Sequence, residues 1–277
     1  MANALGVAGA QSAGLWAFTA DGSMTKRFHA GRAAQSGVMA AILVRGGFTG
    51  PTSILEAADG GFCRATSDDV DFSLATKDLG ARFLSGDTNI KPYSCCASSH
   101  SAVDAVLALK REHGFQAAEV EKVVVKTARG VQLQCGFEYQ AKGVVQAQMS
   151  LQYIVAVTLL ENTALLEQFS DAKIADPAVV ALAKRVEVAV DPDIDKLYPK
   201  RYPNRVEIIL RNGQRWETRV DFPKGSVEQP MTFDEVAGKF RSLAGGTMTA
   251  SEADRIVEAV DGLEKLTDIR DLTQLLA

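Results

Sequence analysis

The spacing of apolar residues changes character twice along this chain, near Arg82 and again near Pro230. Before the first change, the spacing and the frequent glycines are typical of helices joined by tight turns. Between the two changes, helical stretches alternate with strand-like runs, and after the second change the pattern is helical again. This order predicts an α+β fold in which both helical ends belong to one domain and the middle forms a second, inserted domain.

The first 81 residues predict three helices, at 3–20, at 31–44 and from Pro51 onward. The helix at 3–20 contains several glycines, which weaken a helix that is exposed to water. We therefore expect this helix to be buried against another one through its small residues.

The remainder of the chain combines both kinds of element. Five strands are predicted, at 83–91, 120–127, 186–190, 206–210 and 216–220. The pair Asn212-Gly213 between the last two favours a hairpin. Helices are predicted at 98–113, at 150–160 and from Pro177 onward. Thr232 and Ser251 are each predicted to cap a later helix, and 263–276 is predicted to be helical.

Composition and charge exclude several classes of protein. The 277 residues carry 30 basic and 34 acidic side chains, a net charge of −4, which argues against a dedicated nucleic-acid or membrane-surface protein. The most apolar later stretch, 149–160, is too short to span a bilayer. The N-terminus lacks the basic region of a signal peptide, so we expect a cytoplasmic protein.

The four cysteines predict neither disulfides nor a metal site. Cys95 and Cys96 are adjacent, and the chain has no C-x-x-C spacing, so reduced thiols in a core are the favoured interpretation. The chain also lacks the G-x-G-x-x-G, P-loop, G-x-S-x-G and H-E-x-x-H patterns, which mark nucleotide sites, hydrolases and zinc proteases.

A basic cluster precedes the second predicted helix. It places Lys26, Arg27, His29 and Arg32 within seven residues, beside the expected N-terminus of that helix. A helix N-terminus attracts anions, and Lys and Arg side chains suit a ligand that carries several carboxylates. The alternative, a solvated basic turn, is favoured when spacing alone is considered.

A second cluster follows the predicted strand at 83–91. It contains Lys91 and Tyr93 on either side of a proline, and then His100 and Asp104. His100 and Asp104 are four residues apart on one predicted helix and can face the same way. Such a pair can orient an imidazole for proton transfer, but it is also common on exposed helix surfaces, and the spacing favours the second interpretation.

The order of these motifs resembles that of the MmgE/PrpD family. The likeness covers essentially the whole chain, and its most specific part is the basic run at 26–37 together with Thr49-Gly50-Pro51. The other matching motifs are Ala4–Gln11, Asp21-Gly22-Ser23, Lys91-Pro92-Tyr93, His100, Asp104 and Pro223-Lys224-Gly225.

The resemblance implies a fold, a reaction class and a set of site residues. Members pair a large all-helical domain with a smaller α+β lid, commonly dimerise, and work without an iron–sulfur cluster. By this likeness, residues 1–86 and 230–277 belong to the helical domain and residues 87–229 form the lid. The implied catalytic residues are Lys26, Lys91 and His29, and the implied substrate-binding residues are Arg27, Arg32 and Tyr93, with no metal and no cofactor.

The same resemblance predicts a lyase that acts on a small di- or tricarboxylate. Dehydration of 2-methylcitrate is the reaction expected first, and decarboxylation or epimerisation within the family comes next. Family members are longer at the N-terminus, so the helical domain is expected to be incomplete. We therefore expect a homodimer, or a complex with a chain that supplies the other helical half. The alternative is a catalytically incompetent remnant or an assembly subunit.

Overall fold

The computed structural model describes residues 1–276 and divides the chain into two compact units, residues 1–87 and 88–277. The helical and mixed parts confirm the α+β class. The assignment of residues 230–277 to the helical domain, and of residues 87–229 to an inserted lid, stays a prediction. In the part of the chain that the structure describes, no helix has the length and apolar character needed to cross a membrane.

The first unit is helical and has little buried surface. Its α-helices are α1 (Ala2–Gly9), α2 (Thr25–Arg45) and α3 (Phe62–Thr66), and its short 3₁₀ helices are Trp16–Ala20, Phe72–Ala75 and Leu84–Asp87. Only Val7 and Ala40 are buried apolar residues among the first 87. A unit with so small a core gains little from the hydrophobic effect.

Three sequence predictions in this unit are corrected. The helix expected at 3–20 is broken, because Gly14 adopts a φ of +139° between α1 and the 3₁₀ turn that follows. The expected burial also fails, since Leu15 and Trp16 are 83% and 65% exposed. Pro51 starts no helix; the residues after it form turns, and a Cβ at Gly6 would lie 2.1 Å from the Pro51 carbonyl oxygen. The close approach of this loop to α1 therefore depends on Gly6.

The second unit is built around a four-stranded sheet. The strands are β1 (Val120–Thr127), β2 (Val186–Val190), β3 (Asn204–Leu210) and β4 (Arg215–Val220), in the spatial order β2-β1-β3-β4. β1 and β2 are parallel, and the other two pairings are antiparallel. The hairpin between β3 and β4 confirms the Asn212-Gly213 prediction, with Gly213 at a φ of +85°.

Ten α-helices accompany the sheet among the described residues of this unit. They are α4 (His100–His113), α5 (Arg129–Cys135), α6 (Val144–Met149), α7 (Leu151–Glu161), α8 (Asp171–Ile174), α9 (Pro177–Ala183), α10 (Pro192–Asp195), α11 (Phe233–Ala244), α12 (Ala250–Asp261) and α13 (Arg270–Thr273). The core lies between the sheet and helices α4 and α7, where Val103, Val106 and Ile154 are fully buried. Gly114 ends α4 in the left-handed conformation, as its position predicts.

Two further sequence predictions are wrong and one cap is misplaced. Residues 83–91 form a 3₁₀ turn and an irregular segment instead of a strand. Residues 263–276 are broken into short helical turns. Thr232 caps α11 as expected, but α12 is capped by Thr249, whose side chain accepts from the Glu252 N–H in a capping box.

Candidate active site

The second unit contains a cleft of about 200 Å³ whose lining is rich in cations. Four peptide segments form it: the irregular segment that ends at Lys91, the start of α4, residues 200–202, and the loop at 221–228. Its lining includes one histidine, His100, and six charged side chains: Lys91, Lys200, Arg201, Asp221, Lys224 and Glu228. Four permanent cations and two acids therefore face one cleft, which favours an anionic ligand.

His100 is the first residue of α4 and lies at the wall of this cleft, where it is 3% exposed. Burial, together with the positive charges of Lys91 and Lys239, lowers the pKa of its imidazole to about 4. A hydrogen bond to the Cys95 backbone opposes this effect. At neutral pH the imidazole is therefore uncharged.

The two ring nitrogens of His100 have different surroundings. Nε2 is buried and has no hydrogen-bond partner among the residues that the structure describes. The hydrogen bond to the Cys95 backbone consequently involves Nδ1, whose N–H donates to the carbonyl oxygen. In that tautomer Nε2 carries a lone pair and can accept a proton, as a general base requires.

Lys91 lies close to this imidazole. Its Nζ donates to the Cys95 carbonyl oxygen at 3.3 Å, and its own backbone carbonyl accepts from Nζ of Lys239 on α11 at 2.5 Å. Lys91 is exposed at the cleft, so its ammonium group remains within reach of a ligand. The family-derived expectation that Lys91 belongs to a site is thus consistent with its surroundings, while its catalytic role stays a prediction.

Asp104 does not pair with His100, although their spacing on α4 would allow it. Its Oδ1 accepts from the Tyr93 hydroxyl at 2.5 Å, and its Oδ2 accepts from the Lys224 backbone N–H at 2.7 Å. Burial raises the pKa of Asp104, and the hydrogen bonds from Tyr93 and Lys224 oppose that shift. Burial also raises the pKa of Tyr93, and the negative charge of Asp104 adds to the effect, so the phenol stays protonated.

Tyr93 also contacts the histidine directly. Its ring meets the imidazole of His100 edge to face, with centroids 5.2 Å apart. Its hydroxyl proton is donated to Asp104, so any hydrogen bond from Tyr93 to a substrate would need a different arrangement of this pair. Its proposed role as a substrate-binding residue is not tested by these contacts.

Buried polar side chains connect two of the segments that form the cleft. Asn204, at the start of β3, donates from Nδ2 to the Ser98 carbonyl oxygen at 2.9 Å and to the Ser101 hydroxyl at 2.7 Å. The Ser101 hydroxyl donates to the Tyr202 carbonyl oxygen at 2.7 Å. These bonds tie the first turn of α4 to the segment that carries Lys200 and Arg201, and the side chains of Ser101 and Asn204 that make them are fully buried.

The remaining predicted site residues lie in the first unit, on the first two turns of α2. Lys26 and Arg27 are exposed, and the ring of His29 meets that of Phe18 edge to face at 5.7 Å. Arg32 donates to Gln35 at 3.1 Å and to Gln11 at 3.4 Å, and it lines a groove of about 450 Å³ within this unit. The helix begins at Thr25, so this cluster is helical and not a turn before the helix.

Two functional candidates escaped the sequence analysis. His100 was assigned to an ordinary exposed pair, and Lys224 was noted only as part of a turn. Burial creates the unusual state of His100, and sequence spacing carries no direct signal of it. For Lys224 the sequence does contain a signal, because Pro223 and Gly225 predict a tight turn with the lysine between them.

Known proteins resemble this chain along its whole length. Residues 1–75 match the MmgE/PrpD N-terminal domain, and residues 93–265 match the MmgE/PrpD C-terminal domain. The cis-aconitate decarboxylase of Aspergillus terreus is 30% identical over 100% of this chain and 59% of its own length. The human cis-aconitate decarboxylase is 25% identical over 92% of this chain and 53% of its own length.

A shorter match concerns a different activity. A 2-methylcitrate dehydratase-like protein of Aspergillus oryzae is 30% identical over 40% of this chain and 24% of its own length. The chain thus spans between half and two thirds of the decarboxylases it resembles. The two domain matches and the identity along the chain confirm the resemblance drawn from the motifs: this chain belongs to the MmgE/PrpD family.

Proposed function

We propose that this chain serves a lyase reaction on a small di- or tricarboxylate. The observation that carries the proposal is the neutral, buried imidazole of His100 beside a cleft lined by four cations. Cations neutralise the carboxylates that such a substrate brings, and the imidazole supplies a group able to move a proton at carbon. Membership of the MmgE/PrpD family supports the same class of reaction.

The two groups have complementary roles in this proposal. Lys91 binds a carboxylate and stabilises negative charge that develops next to it. Lys224, whose Nζ pairs with Glu235 at 2.6 Å, joins it by exchanging that partner for a carboxylate of the ligand. His100 exchanges a proton with the adjacent carbon through Nε2. A bound carboxylate offsets the charge of Lys91, which is one cause of the low pKa of His100, so ligand binding makes the imidazole more basic.

Decarboxylation of cis-aconitate is the specific reaction we propose first. In it the bond between a carboxylate carbon and its neighbour breaks, carbon dioxide leaves, and the electron pair left on carbon takes up a proton. The relatives named as cis-aconitate decarboxylases, similar along nearly the whole chain, support this choice. Dehydration of 2-methylcitrate is the second candidate, supported by the shorter match to the dehydratase-like protein.

The residues of the first unit keep the roles that the resemblance implies. We propose Lys26 and His29 as catalytic residues, and Arg27 and Arg32 as substrate-binding residues. We also propose that the chain acts as a homodimer or with a chain that completes its helical domain. The exposed apolar side chains of the first unit, among them Trp16 and Phe28, support such an assembly.

The test is a turnover assay in which carbon dioxide and the unsaturated product of dehydration are measured separately. The purified chain, alone and with a chain that supplies the remaining helical half, is offered cis-aconitate and 2-methylcitrate. We expect activity to be lost in three variants, His100→Gln, Lys91→Met and Lys26→Met. We expect it to be kept in Lys122→Met. Lys122 is a matched control because its ammonium group pairs with Glu187 on the sheet, outside the cleft lining. If the folded chain neither binds nor turns over any di- or tricarboxylate under either condition, the proposal is overturned and the catalytically incompetent remnant is favoured.

A further inference from the structure

Two of the segments that line the cleft are joined to each other directly. The Ile90 N–H donates to the Gly225 carbonyl oxygen at 2.8 Å, and the Val227 N–H donates to Oδ1 of Asn89 at 3.2 Å. Gly225 has a φ of +82°, and a Cβ there would lie 1.9 Å from the Ile90 carbonyl oxygen. The segment carrying Lys91 and the loop carrying Lys224 are therefore held in close contact across one end of the cleft.

Asp104 connects to both segments from a third element. It projects from α4, where one carboxylate oxygen accepts from Tyr93, two residues after Lys91, and the other accepts from the backbone of Lys224. Asp104 is partly buried and is not among the residues that line the cleft. Its carboxylate thus connects the backbone of Lys224 to the side chain of Tyr93, two residues from Lys91, and it does not itself line the cleft.

We propose that Asp104 is a positioning residue that sets the spacing between Lys91 and Lys224 for carboxylate binding. The proposal rests on the function proposed above, since it assigns a role within the same cleft. Both hydrogen bonds are made to a charged acceptor, which makes them stronger than bonds between neutral groups. Their loss frees the loop at 221–228 on one side and the Tyr93 ring, which packs on His100, on the other.

Electrostatics alone predicts the opposite effect. A carboxylate near a cationic cleft repels an anionic ligand, so removal of Asp104 would strengthen anion binding if charge were its only contribution. Positioning predicts weaker binding. The direction of the change therefore separates the two explanations.

Two substitutions sharpen this comparison. Asp104→Ala removes both acceptors and the charge. Asp104→Asn removes the charge but keeps both connections, because its Oδ1 can accept from Lys224 and its Nδ2 can donate to the Tyr93 hydroxyl oxygen. Asp176→Ala is the matched control: Asp176 also accepts a backbone N–H, that of Ala178 at the start of α9, and it does not line the cleft.

Calorimetric titration with cis-aconitate and with citrate is the first measurement. We expect Asp104→Ala to bind about tenfold more weakly than the parent chain, the scale of one lost charge-assisted hydrogen bond. Asp104→Asn should stay within roughly threefold of the parent, and Asp176→Ala should be unchanged. Equal or tighter binding by Asp104→Ala, or equal damage from Asn and Ala, would overturn the proposal.

Hydrogen exchange of the same proteins without ligand is the second measurement. Peptides covering residues 221–228 should exchange about tenfold faster in Asp104→Ala than in the parent, with no change in α7 if the fold is intact. Unchanged exchange at 221–228 would refute the positioning role whether or not the chain binds carboxylates. A different result would be a parent chain that binds no carboxylate, together with faster exchange at 221–228 in Asp104→Ala. That result would refute the proposed function but would still support the connection that Asp104 makes to this loop.

Discussion

Replacement of His100 by glutamine should remove a specific pH dependence from the stability of this protein. The pKa of His100 is lowered from an ordinary 6.5 to about 4 by burial and by the neighbouring Lys91 and Lys239. In the unfolded chain the same imidazole has its ordinary pKa. The unfolded state therefore binds more protons between pH 6.5 and 4, and the folded state loses stability as the pH falls through that window.

The size of the effect follows from the two pKa values. A difference of about 2.5 units corresponds to about 3 kcal/mol in total. Well above pH 6.5 the imidazole is neutral in both the folded and the unfolded state, so it does not lower the free energy of unfolding. Between pH 7 and pH 5 the parent should lose about 2 kcal/mol of unfolding free energy that His100→Gln does not lose, because the folded imidazole is still neutral at pH 5. Asp104, whose pKa is raised, acts in the opposite sense in both proteins and cancels in the comparison.

Urea unfolding of parent and variant at the two pH values measures this difference. The variant also loses the hydrogen bond to Cys95, which shifts its stability equally at both pH values and does not affect the comparison. Proton NMR gives the pKa directly, since the chain has only three histidines and the variant assigns the missing signal. A His100 signal that titrates at 6.5 or above, or equal pH dependence in both proteins, would refute the burial argument.

Four further predictions concern the cleft and the first unit. Lys91→Met should weaken carboxylate binding by about 1–3 kcal/mol and leave neutral analogues unaffected, as measured by calorimetric titration. Gly225→Ala should lower the unfolding free energy by at least about 1–3 kcal/mol, because of its positive φ and the clash with Ile90, as measured by urea unfolding. Trp16→Ser should raise the monomer fraction in sedimentation velocity, whereas a parent that is monomeric at high concentration would contradict the assembly expected from exposed apolar surface. Carboxylate binding should take up protons at His100, which calorimetry in two buffers of different ionisation enthalpy detects; heats that are equal in both would argue against it.

Local signals in the sequence predicted much of the second unit. Asn212-Gly213 specified the β3–β4 hairpin, Gly114 the end of α4, and Thr232 the start of α11, because each acts through its own backbone or its immediate neighbours. The start of α12 also has a local signal, because Thr249 and Glu252 form a capping box. The prediction that Ser251 caps this helix is therefore two residues too late.

The errors occur where tertiary contacts override local preference. Residues 83–91 contain strand-favouring side chains, but only the Ile90 N–H finds a carbonyl partner across the cleft, so no ladder forms. The helix expected at 3–20 ends at Gly9, and the chain is not helical at Gly14, which takes a conformation that other residues rarely adopt. In the first unit, the pattern of small residues predicted a close approach between segments, but not which residues would be covered.

The hydrogen-bond partners of Asp104 and the protonation of His100 are set by residues that are distant along the chain but close in space. The i,i+4 relation of His100 and Asp104 predicted a possible pair, but Asp104 bonds Tyr93 and the Lys224 backbone instead. His100 has no carboxylate partner, so burial, and then the positive charges of Lys91 and Lys239, lower the pKa of its imidazole. An imidazole that was predicted to be an ordinary surface group is thereby kept neutral.

In the function proposed above, this arrangement couples ligand binding to proton chemistry. The positive charge of Lys91, which disfavours protonation of His100, also attracts the carboxylates of a substrate. When a carboxylate occupies the cleft, its negative charge cancels part of that repulsion, and the pKa of the imidazole rises towards its ordinary value. The protonated fraction of His100 is therefore larger while the anion is present. A general base that strengthens on substrate binding is suited to taking a proton from carbon beside a carboxylate, and its protonated form is suited to returning one to a carbanion.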